Sequence, residues 1–448
     1  MSTFLTRIVL AIAMFFSVSA SAAARPVLMI SIDGLRPGDV IEAEARGLNI
    51  PNLIRFVREG TYAEGVTGVV PTVTYPSHTT LITGVTPARH GIVSNLTFDP
   101  LQINQGGWAW YAGDIKVPTL WQSAAKAGLK VGNIHWPVSV GAGGISWNLP
   151  QIWRTGHSDD VKLLSTLATP GLVKELEQAV GISYPQGIDE SVDGDEQRGR
   201  FAEALIGLHK PGFLTVYFAG LDDLEHADGP GSPSAKAGLE RIDAIVGRLI
   251  AAQKKSDAQS VIALVSDHGF APVSSETSLF HAFIDAGLIT LDRSGKITDW
   301  TAMPTSEDGS AGVILARPDD AGLASRVRAV LEGLKSDPAT GIVRIADHQE
   351  TVGLGGNPAA AFYVFFRPGT ASADFAGADG PLRAVTKGKG THGYDPADQT
   401  MRSTFMLLGK GIPKGKRLGL IDMRTIAPTL AKIMGFAMST ADLPPLAY

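Results

Sequence analysis

The sequence predicts an α/β fold with a mostly parallel central sheet flanked by helices, and three observations carry that expectation. Arg25–Ile32, Gly212–Phe218 and Ser260–Val265 are short, almost continuous apolar runs with many branched residues, the pattern of strands buried on both faces. Helical stretches lie between them: leucines recur at helical spacing within 160–210, and Ser234–Gln253 is amphipathic. Each apolar run also leads into acids, at Asp33-Gly34, at Asp222 and at Asp267-His268. In open parallel sheets, the carboxyl ends of strands are where ligands are held. Strands alternating with helices, each strand leading to an acid, make a doubly wound sheet with one functional edge.

Length and composition bound the rest. A chain of 448 residues, 44% hydrophobic and 19% charged, suits one large α/β domain with an insertion, or two domains. The formal net charge is −5 and no block of Lys or Arg stands out, which argues against a surface for a nucleic-acid polymer or an anionic membrane. There is no cysteine, so a structural Cys–zinc site is excluded. Residues 1–24 read as a secretory signal: Arg7, an apolar run Ile8–Phe16 too short to span a bilayer, then small residues around Ala20–Ala24. The expectation is a secreted or periplasmic protein with no transmembrane segment once the signal is removed.

Taken in order, β-type residues 25–32 open the sheet and Asp33-Gly34 ends the strand. Pro71 and Pro76 then bracket Thr74, holding the chain out of helical geometry until a helix can start. A hydroxyl there lies near unpaired backbone N–H groups, which makes Thr74 a candidate nucleophile, although threonine is also an ordinary turn residue. Thr86–Ile92 forms a loop leading to Asn95. Trp108, Trp110 and Tyr111 follow in a loop that either folds over a pocket mouth or packs as a satellite core. Pro118–Ala127 reads as a helix start and Lys130–Trp136 as a strand. The rhythm breaks over 275–385, where Ala311–Ala316, Gly322–Leu334 and Ala359–Arg367 read as strand, helix and strand. This region is expected to be an inserted α+β subdomain, leaving 25–274 and 386–448 as the core. Gly353–Asn357 reads as a plain turn, Thr404–Gly409 as a core strand and Asp422–Met434 as a closing helix.

The acids and histidines call for one explanation. Asp222 and His226 are spaced i, i+4 and share a face if that segment is helical. Asp267-His268 is an adjacent pair directly after a strand, and His392 lies in a glycine-flanked loop. With Asp33 they make three carboxylates and three imidazoles, a donor set suited to zinc and related divalent ions. Each residue alone reads as a cap or a satisfied polar group; their conjunction points to a metal site. Two such ions about 4 Å apart polarise a phosphoryl oxygen and activate a nucleophile.

The ordered set Asp33, Thr74-Tyr75-Pro76-Ser77-His78, Asp222-x-x-x-His226, Asp267-His268-Gly269 and Thr391-His392-Gly393-Tyr394-Asp395 resembles the type I phosphodiesterase/nucleotide pyrophosphatase family of the alkaline phosphatase superfamily. Pro87–Ile92, Asn95 and His135-Trp136-Pro137 agree with it, so the likeness covers nearly the whole chain after the signal. The resemblance implies an alkaline-phosphatase-like sheet and a hydrolase of phosphoric esters with two divalent metal ions, zinc being the expected metal. It assigns Asp222, His226 and His392 to one ion, and Asp33, Asp267, His268 and the Thr74 oxygen to the other. It also implies a covalent phosphothreonine intermediate, with Asn95 donating to the phosphoryl oxygens. Tyr75 and Tyr217 are the aromatic residues expected to face the ester group of a small nucleotide-like or aryl diester. Glu225 departs from the family, in which glycine commonly precedes the metal-binding histidine. Asp223 and Asp228 read as solvated neighbours of the site. A phosphonate hydrolase or phosphomonoesterase on the same scaffold, and a metal-binding protein without catalysis, are the alternatives to a diesterase.

Overall fold

The computed structural model describes residues 24–103, 107–152, 159–184, 189–377 and 380–448. Apart from Ala24, the segment read as a secretory signal lies outside them. Six strands introduced in chain order belong to an eight-stranded central sheet: β1 (Val27–Ile32), β2 (Thr61–Tyr62), β3 (Val131–Ile134), β4 (Trp147–Leu149), β5 (Phe213–Phe218) and β6 (Val261–Val265). Phe405–Gly409 and Lys416–Arg417 complete it, in the spatial order Lys416–Arg417, β2, Phe405–Gly409, β6, β1, β5, β3, β4. From β4 to β6 every neighbouring pair is parallel. Phe405–Gly409 runs antiparallel to both β6 and β2. The sheet is therefore mostly parallel, as the apolar runs predict.

Burial on both faces explains why those runs do not alternate. Along β1, Leu28, Ile30 and Ile32 enter one core, whereas Val27 and Met29 enter the core on the opposite face. The first core is closed by Leu205, Ile242, Val246 and Leu249 from helices Val192–His209 and Pro233–Ser256. The second is closed by Leu81, Leu120, Trp121, Ile426 and Leu430. Each fully buried side chain of this size is worth about 1.5–3 kcal/mol over an exposed one. The helical reading of 160–210 resolves into Asp160–Leu167, Leu172–Val180 and Val192–His209.

A second sheet stands beside the first. Its strands are β7 (Ala302–Glu307), β8 (Ser310–Leu315), Ala360–Phe366 and Ile342–Asp347, all antiparallel. Helix Ala321–Ser336 packs against it through Leu323, Val327 and Leu331 in a separate core. Strand Ala271–Thr277 crosses the boundary expected at 274/275 and pairs with Gly369–Ser372, Arg383–Val385 and Gly390–Thr391. Chain from the second region is thus tied by hydrogen bonds to the segment that follows Asp267 and His268. The expected turn at 353–357 closes helix His348–Gly353, and Gly355 O accepts from Ala88 N–H at 3.0 Å.

Candidate active site

The carboxyl ends of β1, β5 and β6 lie side by side, and each delivers an acid to one place. Asp33 follows β1 directly. Gly34 turns the chain there in a left-handed conformation, φ 70°, and its N–H donates to Asp267 Oδ1 at 3.3 Å. Asp267 and His268 follow β6. After β5 the chain enters helix α1 (Gly220–Asp228), so the conditional i, i+4 reading holds and His226 Nε2 lies 3.5 Å from Asp222 Oδ2. His392 arrives from the loop after Gly390–Thr391, with Nε2 3.8 Å from Asp222 Oδ1. His268 Nε2 is 3.3 Å from Asp33 Oδ1 and 3.1 Å from Asp267 Oδ2.

The three imidazoles are oriented alike. Nδ1 of His226 faces Gly390 O at 3.1 Å, Nδ1 of His268 faces Gly269 O at 3.2 Å, and Nδ1 of His392 faces Thr72 O at 3.1 Å. A carbonyl can only accept, so each Nδ1 carries the proton and each Nε2 lone pair is turned toward the carboxylates. Asp33 Oδ1, Asp222 Oδ1, Asp267 Oδ2 and His268 Nε2 are buried without a hydrogen-bond partner. Burial raises the Asp33 carboxyl to about 6, and burial together with the neighbouring acids raises Asp222 and Asp267 well above the usual carboxylate range. Burial, then the adjacent imidazoles, pushes His268 well down, and burial pushes His392 down to about 4. Neutral nitrogen lone pairs converging on crowded acids make a candidate cation site.

Two trios bring donor atoms within 4.8 Å of one another: Asp33, Asp267, His268 and Asp222, His268, His392. His268 belongs to both, whereas the sequence reading allots it to one ion only. His226 reaches the second trio through Asp222.

Thr74 begins the ten-residue helix Thr74–Thr83 and lines one cavity, of about 190 Å³, with Asp33, Asp222, His226 and His392. Its helix is anchored by His78, whose Nδ1–H donates to Thr74 O at 2.8 Å while Nε2 meets Ser31 Oγ at 2.8 Å. Asn95 enters the same cavity; its Oδ1 accepts from Tyr75 N–H at 2.8 Å, which leaves the amide NH2 for a ligand.

Both tyrosines expected at the site line this cavity. Tyr75 packs its ring against Trp108, centroids 5.3 Å apart, and both line the cavity. Tyr217 lines it as well, and its hydroxyl donates to Asp33 Oδ2 at 2.5 Å. Its ring packs edge-on to His78 and lies over His135. The ring thus borders the cavity while the hydroxyl fixes the orientation of Asp33. The tryptophan loop divides: Trp108 reaches the cavity, Trp110 joins the packing beneath, and Tyr111 is 53% exposed.

Glu225 turns away from the ligands to Arg36, Oε1 to Nη2 3.3 Å, and burial raises its carboxyl to about 8. Asp223 and Asp228 are exposed. Arg89, in the short helix Pro87–His90 that replaces the expected loop, pairs with Asp442. Gln151, Glu190 and Asp308 also line the cavity. The sequence reading missed all three, since isolated polar residues in loops carry no motif. Asp308 had one legible signal, an Asp-Gly pair at a hairpin turn.

The sheet order, with the candidate metal-holding residues at the carboxyl ends of its parallel strands, defines an α/β protein of the alkaline-phosphatase-like class. The model of the type I phosphodiesterase / nucleotide pyrophosphatase family matches residues 27–395, and the chain belongs to that family. The human ectonucleotide pyrophosphatase/phosphodiesterase family member 1 is 26% identical over 256 residues, 54% of this chain and 23% of the human protein. Family member 7 of Rattus norvegicus is 22% identical over 429 residues, 93% of this chain and 84% of the rat protein. The chain thus spans about a quarter of the length of the first relative. Among solved structures, human ectonucleotide pyrophosphatase/phosphodiesterase 5 superposes with a TM-score of 0.66 at 18% identity, covering 95% of this chain and 97% of that one. The murine counterpart has also been solved as an inactive form in complex with AMP, with the same TM-score, identity and coverage. Among the described residues, no helix is long and apolar enough to cross a membrane.

Proposed function

We propose that the protein is an exported phosphodiesterase of the nucleotide pyrophosphatase type, with two divalent cations, zinc foremost, and Thr74 as nucleophile. The observation that carries this reading is the shared orientation of His226, His268 and His392, each tied through Nδ1 to a backbone carbonyl and presenting Nε2 to buried acids. Asp222, His226 and His392 would hold one ion; Asp33, Asp267 and His268 would hold the other, with the Thr74 hydroxyl beside it. When bound, the ions supply the positive charge that lowers the pKa of an adjacent hydroxyl and stabilises charge on the phosphoryl oxygens.

The residues then divide the work. Thr74 Oγ attacks phosphorus as the bond to the departing alkoxide breaks. The Thr74 proton leaves to solvent, and the alkoxide takes one up to depart as an alcohol. Water cleaves the resulting phosphothreonine, restoring the hydroxyl and releasing a phosphate monoester. The Thr74 backbone N–H, at the start of its helix, and the Asn95 NH2 donate to the non-bridging oxygens as their charge grows. Tyr75 and Trp108 wall the cavity and suit a flat group such as a nucleoside or aryl ester; the AMP complex of the murine relative supports a nucleotide. Residues 275–385 act as an inserted subdomain that completes one side of the pocket.

Comparing bis-nitrophenyl phosphate with nitrophenyl phosphate tests the reading. The diester should show the higher kcat/KM, chelation should abolish turnover and zinc should restore it. A monoester preference would defeat the diesterase assignment while leaving the metal site standing; no turnover of either ester by metal-replete protein would defeat both.

A further inference from the structure

The second sheet reaches the catalytic cavity with the tip of one hairpin, and that tip carries a carboxylate. β7 ends at Glu307 and β8 begins at Ser310. Between them Asp308 has φ 57°, a left-handed conformation that Asp and Asn accept more readily than other side chains with a Cβ. The tip is fixed from several directions. Ser372 N–H donates to Asp308 O at 2.6 Å, Gly309 N–H to His392 O at 2.8 Å, and Phe366 N–H to Gly309 O at 3.0 Å. A Cβ at Gly309 would lie 2.5 Å from the Tyr394 ring, so the hairpin is wedged against the segment that carries His392. The side chain is held as well. Oδ1 accepts from Thr391 Oγ1 at 3.2 Å, and Oδ2 stands 4.0 Å from His392 Nε2.

Asp308 thereby lines the same cavity as Thr74, Asn95, Asp222 and His226, and no Lys or Arg is among the described residues that line it. We propose that Asp308 is a specificity-determining residue that excludes dianionic phosphate, so that a singly charged diester is taken in preference to a doubly charged monoester. This rests on the phosphoesterase reading above. A phosphate monoester carries close to two negative charges above its second pKa, about 6, and a diester carries one. In a diester the second ester group covers the oxygen that bears the extra charge in a monoester. The cations would attract both kinds of ester, but a carboxylate fixed in the cavity wall opposes the gain from a second negative charge, and no cationic side chain of the described lining counters it.

Asp308→Asn removes the charge while keeping the shape and the tolerance for a left-handed backbone. In the zinc-loaded protein at pH 8, binding of inorganic phosphate and of phenyl phosphate, read by calorimetry, should tighten about tenfold, whereas diethyl phosphate should shift by less than about twofold. The kcat/KM ratio of nitrophenyl phosphate to bis-nitrophenyl phosphate should rise by a similar factor. Zinc content by elemental analysis should equal the parent's, and Asp308→Glu, which keeps the charge, should keep the parent's discrimination. An equal change for mono- and diester ligands, or loss of zinc, overturns the proposal, because Asp308 would then act only by supporting the fold or the ligands. A binding difference in the expected direction, with no turnover by the parent, would sustain the role of Asp308 and sink the phosphoesterase reading instead.

Discussion

His268 is the residue on which the two halves of the cation site meet, because its Nε2 lies within reach of Asp33 and Asp267 while its ring stacks on His392 with centroids 3.6 Å apart. His226 lies at the margin, with 35% of its side chain exposed and its Nε2 3.5 Å from Asp222 Oδ2. Replacing His268 by alanine should therefore lower the content of both ions, whereas His226→Ala should lower only one. Elemental analysis of the two dialysed variants reads this directly; a full equivalent of metal retained by His268→Ala would show that the sites are not shared. Asp33, Asp222, Asp267, His226 and His268 stood out in the sequence because each follows a strand or sits at a fixed spacing, and His392 through its glycine-flanked loop and the family resemblance. The sharing of His268 was not legible, since it depends on two chain segments more than 100 residues apart stacking their rings. The hydroxyl contact of Tyr217 with Asp33 was equally hidden, since it joins the ends of two strands far apart in the chain.

At the scale of elements, helix Thr74–Thr83 owes its position to histidines buried in neutral form. His90, from the short helix Pro87–His90, faces Thr80 Oγ1 through Nε2 at 3.1 Å, while its Nδ1 accepts from Ile92 N–H at 3.2 Å. Burial lowers its pKa to about 3 from an ordinary 6.5. The sign follows from proton binding. The unfolded chain takes up a proton near 6.5 that the folded chain refuses until about 3, so the stabilising effect of the neutral form is intact above 6.5 and is lost as pH falls between those values. Other buried histidines act in the same sense. His90→Gln should therefore flatten the fall in stability between pH 6 and pH 4 by about one proton, about 1.4 kcal/mol per pH unit. Denaturant midpoints at several pH values measure it, and an unchanged slope would mean that His90 is not held neutral. A helix after Pro76 was legible, but it starts earlier than expected, at Thr74, with Pro76 in its first turn, where a missing N–H breaks no helical hydrogen bond; its anchors were not legible, because a buried histidine and an exposed one look alike in sequence.

For the whole molecule, one edge of a parallel sheet gathers three acids and a second sheet closes the pocket with a hairpin. The parallel strands were plain in the sequence because burial on both faces leaves long apolar runs. The antiparallel strands were harder: β7 reads Ala-Met-Pro-Thr-Ser-Glu, with Pro304 and two hydroxyl residues breaking any alternation, and its place is set by pairing with β8 along its length. Asp308, Gln151 and Glu190 reach the cavity through such tertiary placement alone. The account stands on Thr74 acting as nucleophile at a metal centre that does not need its side chain to fold. The most direct test is Thr74→Ala, with zinc content and turnover of bis-nitrophenyl phosphate measured on the same sample. The account predicts nearly the parent's zinc and a loss of at least about a thousandfold in kcat. More than a trace of activity at full zinc content would contradict it and move the attacking oxygen elsewhere.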